Sequence, residues 1–195
     1  MGFLMAAITD PYATPQQYRA VVSKSDDGDD GEIAADLLAV SRYLDRCLGT
    51  FFTKDAVAVA RVFTIPGSLR RPYGTMPLGW AETENPYVYG GYSRTINIDD
   101  LAAAPTSIIL DTDRDGLFDD TPWASTDYEL WPLNAARGPE PKPYTTIVVP
   151  TWSSQFGFPI GARLQVTAQW GWPSVPPAIV RATCHVTGIL RLETP

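Results

Sequence analysis

The sequence predicts an α+β fold in which a small bundle of N-terminal and C-terminal helices carries an inserted antiparallel β-lobe. Helical periodicity is confined to residues 14–22, 32–48 and 176–189, whereas the middle of the chain is rich in β-branched and aromatic runs. The 195 residues are 45% apolar, which is enough to bury a real core. We therefore predict a helical bundle from residues 1–50 and 174–195, and a β-lobe from residues 51–173.

Two helices are predicted near the N-terminus. Thr14 is typical of an N-cap and Pro15 fits a first helical turn, so a short helix begins there. From Glu32 apolar side chains recur at spacings of four and three residues, and Gly49 is a typical stop. That apolar stripe is Ile33, Leu37, Val40, Leu44 and Leu48. The polar residues between them serve either a subunit contact or solubility, and solvation is the simpler expectation for these four, Ser41, Arg42, Asp45 and Arg46.

Six segments of the middle region are predicted to be strands because they combine β-branched and aromatic residues with alternation. They are residues 52–65, 93–98, 106–110, 127–131, 144–149 and 162–170. A loop at residues 66–92 separates the first two and is too long for an ordinary connection. Its aromatic side chains indicate a loop that packs on its own lobe or on a neighbouring subunit. These candidate interface residues are Tyr73, Trp80, Tyr87, Tyr89 and Tyr92.

The last helix is predicted to begin at Pro176 and Pro177 and to return against the first two. Its inner stripe is expected to be Ile179, Ala182, Thr183, Val186 and Ile189. Trp170 and Trp172 precede this helix, at the junction with the last strand. We expect them either to anchor the contact between the two lobes or to face a partner, and both are kept as candidate interface residues.

Composition limits the classes of function. The formal net charge of −7 argues against a broad surface for binding nucleic-acid phosphates. Cys47 and Cys184 are far apart and lie in predicted amphipathic helices, so we expect free, buried thiols and no disulfide framework. The first ten residues lack a basic leader and are too short for a secretory core or a membrane span. These features favour a chain made and kept in a cytoplasm, without a membrane.

The stretch DTDRDGLFDD, Asp111 to Asp120, resembles a calcium loop. Such a loop has acids at its first, third and fifth positions, glycine at the sixth and a bidentate acid at the twelfth. The twelfth position here is Pro122, and the flanking segments read as strands, so we predict a β-hairpin turn at Asp115 and Gly116 with no metal. The weak metal candidates that remain are Asp111, Asp113, Asp115 and Asp119.

No catalytic motif is found in the sequence. The single histidine, His185, follows Cys184 in a predicted helix, so the two side chains point about 100° apart and do not form a nucleophile and base pair. Phosphate-binding loops, dinucleotide fingerprints and zinc-type spacings are also missing from the sequence. We therefore predict a protein that is not an enzyme and needs no cofactor.

Three patterns, taken in order, resemble the head-to-tail connector (adaptor) proteins of tailed bacteriophages. The first is SR-x-x-D-x-x-x-G-x-x-F, formed by Ser41, Arg42, Asp45, Gly49 and Phe52. After the Asp-Gly turn comes DY-x-L-x-P-x-N, formed by Asp127, Tyr128, Leu130, Pro132 and Asn134. The third is WGW-x-x-VP, formed by Trp170 to Trp172, Val175 and Pro176. The resemblance runs from Tyr12 to Leu190 and is unclear only at residues 66–96.

This resemblance implies a structural role in the neck of a virion. Such proteins form a homo-oligomeric, typically dodecameric ring that docks below the portal protein and extends the DNA channel toward the tail. The implied partners are the portal, a stopper or tail-completion protein, and DNA that passes without sequence-specific binding. Assembly would take place in the host cytoplasm. Two other functions stay open, a calcium-stabilised β-rich binding module and a stopper or tail-completion protein.

Overall fold

Three helices and nine strands are present in the computed structural model, which describes residues 10–22, 29–65, 88–89, 92–137 and 139–193. The helices are α1 (Pro15–Val22), α2 (Asp30–Leu48) and α3 (Pro177–Glu193). The strands are β1 (Val59–Thr64), β2 (Val88–Tyr89), β3 (Tyr92–Ser93), β4 (Thr95–Leu101), β5 (Ser107–Asp111), β6 (Glu129–Trp131), β7 (Tyr144–Val148), β8 (Phe158–Pro159) and β9 (Arg163–Ala168). The predicted α+β class is confirmed.

The chain divides into two compact units. The helical unit comprises Met1–Lys54 and Trp172–Pro195, and it contains all three helices. The β-unit comprises Asp55–Gly171 and contains the nine strands.

The ends of α1 and α2 form where the sequence predicts them. Thr14 and Gln17 cap α1 reciprocally, since each backbone N–H donates to the other side chain, at 2.8 Å from Thr14 and 3.2 Å from Gln17. Gly49 ends α2 at a φ of 66°, and its N–H donates to the carbonyl of Asp45 at 2.8 Å. Only glycine adopts that left-handed conformation without steric cost, which explains the stop.

The core of the helical unit lies between α1, α2 and α3. Its central residues are Ala13, Tyr18, Ile33, Leu37 and Cys184, with Val21 and Val180 packed against them. The face that α3 buries matches the predicted stripe at Thr183, which is fully buried. It differs elsewhere, because Cys184 and Thr187 are also fully buried whereas Ile189 is 57% exposed. Small side chains on this face allow the helices to approach closely. Because these side chains are only weakly hydrophobic, the periodicity of apolar residues did not reveal the buried face.

The two cysteines have different environments. Cys184 is free and buried, as expected, whereas Cys47 is free and exposed. The predicted burial of Cys47 is therefore wrong. Residues 46–49, at the C-terminal end of α2, are all exposed. The apolar periodicity of this helix therefore continues beyond the part that packs against other residues.

The β-unit is built from three antiparallel sheets of three strands each, in the orders β1-β9-β5, β2-β3-β8 and β4-β7-β6. Alternate residues of β9 are fully buried while their neighbours are not, as expected for a strand with one face on a core. The buried core is Ile65, Ile96, Ile98, Leu101, Ile108, Leu110, Ile147, Val149, Phe158, Ala162, Leu164, Val166, Ala168 and Trp170.

The predicted hairpin around Asp115 and Gly116 is wrong. The strand before the turn, β5, pairs with β9, and the strand after it, β6, pairs with β7 in a different sheet. Gly116 has a φ of 88°, so the turn itself exists. Turn residues select a local backbone conformation, but the sheet that each flanking strand joins depends on long-range pairing.

Two further boundaries differ from the sequence prediction. The first strand begins at Val59 and not at Phe52, because Phe52 packs in the helical unit. The end of the predicted loop forms the short pair β2 and β3, in which Tyr89 is opposite Tyr92. The rest of that loop, residues 66–87, lies outside the described residues.

Candidate functional site

A buried polar cluster joins the segment before α1 to α2 and to the segment after it. The backbone N–H of Tyr12 donates to Oγ of Ser41 at 2.9 Å, and Ser41 in turn donates to the carbonyl of Leu37 at 2.6 Å. The hydroxyl of Tyr12 donates to the carboxylate of Asp45 and accepts from the N–H of Phe52 at 3.0 Å. We call these residues, together with Arg42, the Tyr12 cluster.

The charges of the Tyr12 cluster balance within it. Nε of Arg42 lies 3.2 Å from Oδ2 of Asp45, and its guanidinium carbon lies 5.3 Å from the centre of the Tyr12 ring. Burial and the hydrogen bond to Asp45 raise the pKa of Tyr12 to about 12. Tyr12 therefore keeps its proton at neutral pH and acts as a structural donor.

The expectation that the polar residues of α2 are solvated is wrong for Ser41 and Asp45, which are both buried. It holds for Arg46, which is exposed, while Arg42 is half-buried. Amphipathic periodicity assigned the buried side of α2 to apolar residues only, and it could not show that Tyr12 supplies partners for a hydroxyl and a carboxylate. The spacing of Ser41 and Asp45, one turn apart, is the signal that would have suggested a shared partner.

The SR-x-x-D-x-x-x-G-x-x-F pattern is thus a structural unit. Ser41, Arg42 and Asp45 meet at Tyr12, and Gly49 ends the helix so that the chain turns back. The Phe52 ring then lies edge-on to the ring of Tyr12 at 5.8 Å between centroids, and it contacts Trp172 at 5.2 Å.

The other two patterns of the resemblance also have structural roles. Asp127 accepts from the N–H of Ala124 at 3.0 Å and from the hydroxyl of Ser154 at 3.2 Å, which fixes the loop before β6. Trp170 is 1% exposed, and its indole N–H donates to the carbonyl of Val59 at 2.7 Å. Trp170 is therefore buried in the core of the β-unit.

The other predicted interface aromatics have varied positions. Tyr73, Trp80 and Tyr87 lie outside the described residues, and the side chain of Tyr89 is not described either. Tyr92 is partly exposed in β3, with 39% of its surface accessible. Trp172 is half-buried against Phe52.

The carboxylate loop, Asp111 to Asp120, brings three acids together. Oxygen atoms of Asp111, Asp113 and Asp115 all lie within 4.8 Å of one another, whereas Asp119 is not part of this group. Asp120 closes the loop, since its carboxylate accepts from the N–H of Thr112 at 2.9 Å and from the Thr112 hydroxyl. These hydrogen bonds lower the pKa of Asp120.

Cys184 and His185 do not form a reactive pair. Cys184 is buried in the helical unit and His185 is exposed, as their adjacent helical positions predict. Burial raises the pKa of the Cys184 thiol, so the nucleophilic thiolate is disfavoured at neutral pH.

Several large apolar side chains are exposed at the surface of both units. The most exposed ones in the helical unit are Tyr43, Leu48, Ile189, Leu190 and Leu192. Those in the β-unit are Val57, Leu117, Leu133, Trp152 and Phe156. Single exposed apolar residues are normal on a protein surface, whereas a contiguous apolar patch marks a contact surface.

A solved structure of similar fold is the neck of an empty GTA particle, computed with C6 symmetry. The fold is shared over most of the chain. The match covers 98% of this chain and 83% of that chain, with a TM-score of 0.50 and 12% sequence identity. At this identity the likeness shows a common fold. No family model matches the sequence, and no curated protein matches it.

Among the residues described, none of the helices is both long and apolar enough to cross a bilayer.

Proposed function

We propose that this chain is a structural subunit of a phage-type neck, and that it forms an adaptor ring which docks below the portal and extends the DNA channel toward the tail. The observation that carries the proposal is the fold likeness, over nearly the full chain, to the neck of a phage-like GTA (gene transfer agent) particle. The ordered sequence patterns support the same assignment independently, because they come from the residues and not from the fold.

The residues of the sequence patterns have structural positions and do not form a reactive group. Residues of the first pattern meet at the Tyr12 cluster, and Trp170 of the third pattern is buried in the β-unit. None of these side chains forms an acid and base pair or a nucleophile with an adjacent base in the part of the chain described. A subunit without chemistry of its own is what a neck ring requires.

Ring formation is supported by the exposed apolar residues. In a ring, each subunit presents one surface to one neighbour and a different surface to the other, so two separate apolar surfaces are needed per chain. Exposed apolar side chains occur on both units, including Tyr43 and Leu192 in one and Trp152 and Phe156 in the other. The C6 symmetry used for the neck of the GTA particle is compatible with a dodecamer.

The interface residues belong to this proposal. Tyr92 and Trp172 keep accessible ring surface and remain candidates for contacts with a neighbour, together with the aromatics of residues 66–87. Trp170 supports such a surface only indirectly, from the core beneath it.

The charge of the chain fits a channel through which DNA slides. A formal charge of −7 per subunit, repeated around a ring, gives the assembly a strongly negative field. Few cationic contacts to DNA phosphates would then form, and passing DNA would not be held. Portal and stopper or tail-completion proteins are the proposed partners above and below the ring.

Immunoelectron microscopy of purified particles tests this function. An antibody raised against the chain should label the junction between head and tail once tails are detached from heads. Particles made without the chain serve as the control and should show no label there. Label confined to the head surface or to the tail tip would refute the proposal.

A further inference from the structure

We propose that the carboxylate loop binds one calcium ion through Asp111, Asp113 and Asp115. The inference does not rest on the proposed function, because it follows from the geometry and burial of this loop alone. The hairpin context that argued against a metal is not present, since β5 and β6 belong to different sheets.

The first observation is the spacing of the ligand atoms. One oxygen of each of the three carboxylates lies within 4.8 Å of the other two. Two oxygens bound to the same calcium ion, each at 2.3–2.6 Å, are at most about 5 Å apart. The three side chains can therefore reach one ion from the positions that they occupy.

The second, independent observation is the burial of Asp111. Its side chain has no accessible surface, and neither of its carboxylate oxygens accepts a hydrogen bond from the residues described. Only Oδ2 has an ion-pair partner, the Arg163 guanidinium, and none is found for Oδ1 within the described residues. A buried carboxylate oxygen without a partner is costly, so it indicates a further cation. The buried oxygen belongs to the same group of ligand atoms as those of the two exposed acids, Asp113 and Asp115.

Arg163 supplies only part of the balancing charge. Its Nε lies 3.3 Å from Oδ2 of Asp111, and it forms no ion pair with Asp113 or Asp115 within the described part of the chain. Three carboxylates and one guanidinium leave a net charge of minus two, which one divalent cation neutralises. The Arg163 side chain is 45% exposed, so it has room to move toward solvent when an ion enters.

The backbone of the loop is arranged to hold the acids in place. The N–H of Asp115 donates to Oδ1 of Asp113 at 3.2 Å, and the N–H of Leu117 donates to Oδ1 of Asp115 at 2.7 Å. Gly116 has a φ of 88°, a left-handed conformation that favours glycine. The sixth position of the loop therefore holds glycine, as the sixth position of known calcium loops does.

An all-oxygen ligand set indicates a hard cation, and calcium suits it better than magnesium. Magnesium demands near-octahedral geometry and keeps much of its water, whereas calcium accepts irregular sets of six to eight oxygens. Because Pro122 replaces the bidentate acid, we expect weak binding, with a Kd of about 10⁻⁴ to 10⁻³ M.

Isothermal titration of the metal-free chain with calcium chloride tests the site. We expect one ion per chain and a loss of affinity of about tenfold or more in both Asp113→Asn and Asp115→Asn, because each removes a charged ligand. Both residues are exposed, so the variants should fold, and an unchanged circular dichroism spectrum would verify this. Glu140→Gln, which removes one exposed carboxylate elsewhere in the β-unit, is the matched control and should bind as the wild type does.

Two other measurements test whether the ion binds at this loop and whether it is calcium. Calcium should raise the thermal unfolding midpoint of the wild type and of Glu140→Gln. It should raise the midpoint of Asp115→Asn much less. A parallel titration with magnesium chloride should give weaker binding. The proposal is overturned by an absence of heat up to about 10 mM calcium, well above the expected Kd. It is also overturned by equal affinity in all variants, or by tighter binding of magnesium.

Discussion

The two units of this protein fill their cores in different ways. Among the described residues, the β-unit buries sixteen apolar residues and two polar ones, Ser93 and Asp111. The helical unit buries eight apolar residues and four polar ones, Ser41, Asp45, Thr183 and Thr187. The smaller unit therefore depends much more on hydrogen bonds that its buried polar groups must complete.

This difference matters because the two kinds of core lose stability in different ways when a residue is substituted. An apolar core loses stability in proportion to the contacts and volume removed. A buried polar cluster loses most when one partner is deleted, because the remaining group is then buried without a hydrogen bond. Substitutions can separate the two behaviours.

The largest effect is expected from Trp170→Ala in the β-unit. The change removes a fully buried ring, its hydrogen bond to Val59, and the contact of Arg61 over the ring at 4.7 Å. We expect a loss of about 3 to 5 kcal/mol in the free energy of unfolding, measured by chemical denaturation. Trp152→Ala, at a side chain that is 73% exposed, is the control and should change it by less than about 0.5 kcal/mol. Equal effects of the two substitutions would contradict the apolar description of this core.

The next largest effect is expected from Tyr12→Phe in the helical unit. The substitution keeps the ring but leaves the carboxylate of Asp45 and the N–H of Phe52 without their shared partner. We expect a loss of about 1 to 3 kcal/mol by chemical denaturation at neutral pH. Tyr43→Phe, at a tyrosine that is 60% exposed, should be nearly neutral. A neutral Tyr12→Phe variant would show that the Tyr12 cluster does not stabilise the fold.

The same tyrosine predicts a dependence on alkaline pH. The folded state raises the pKa of Tyr12 from 10.0 to about 12, so it holds the proton more tightly than the unfolded chain does. The resulting stabilisation is complete below pH 10 and is lost as the pH rises toward 12. The difference in unfolding free energy between the wild type and Tyr12→Phe should therefore shrink over this interval. A difference that stays constant or grows would contradict this pKa.

The smallest effect is expected at the partly exposed ion pairs between α2 and α3. The side chain of Arg191 is 19% exposed and lies 2.8 Å from Asp36, 3.4 Å from Asp29 and 3.7 Å from Glu32. These three acids are well exposed. Solvent screens such pairs, so Arg191→Gln should cost about 1 kcal/mol or less and should matter less at high salt. Arg181→Gln, at an exposed arginine of the same helix, is the matched control. A salt-independent loss well above 1 kcal/mol would show that these pairs are less screened than their exposure implies.

The comparison of the units also explains which features the sequence could predict. In the β-unit, alternation along β9 predicted the strand because its buried residues are apolar. In the helical unit, the Thr14 cap and Gly49 were predictable because they act locally. The buried faces of α2 and α3 were only partly predictable, because Ser41, Asp45 and Thr187 are polar and have their partners or neighbours elsewhere in the chain.

The carboxylate loop also shows which features local sequence patterns cannot predict. Its sequence predicted the turn at Gly116, yet the pairing of β5 with β9 and the burial of Asp111 depend on segments distant in the sequence. The exposed apolar surfaces were likewise not predictable, since Ile189 continues an apolar helical period but faces solvent. Local rules predicted elements and turns, whereas pairing and partner surfaces needed the whole fold.

A cryo-electron microscopy reconstruction of the neck in complete particles, calculated without imposed symmetry, tests the central claim most directly. The account predicts density for a closed ring of this chain between the portal and the tail, with a copy number compatible with C6 symmetry and with the DNA channel on its axis. A neck whose density is fully explained by other proteins, or copies of this chain found elsewhere on the particle, would contradict it.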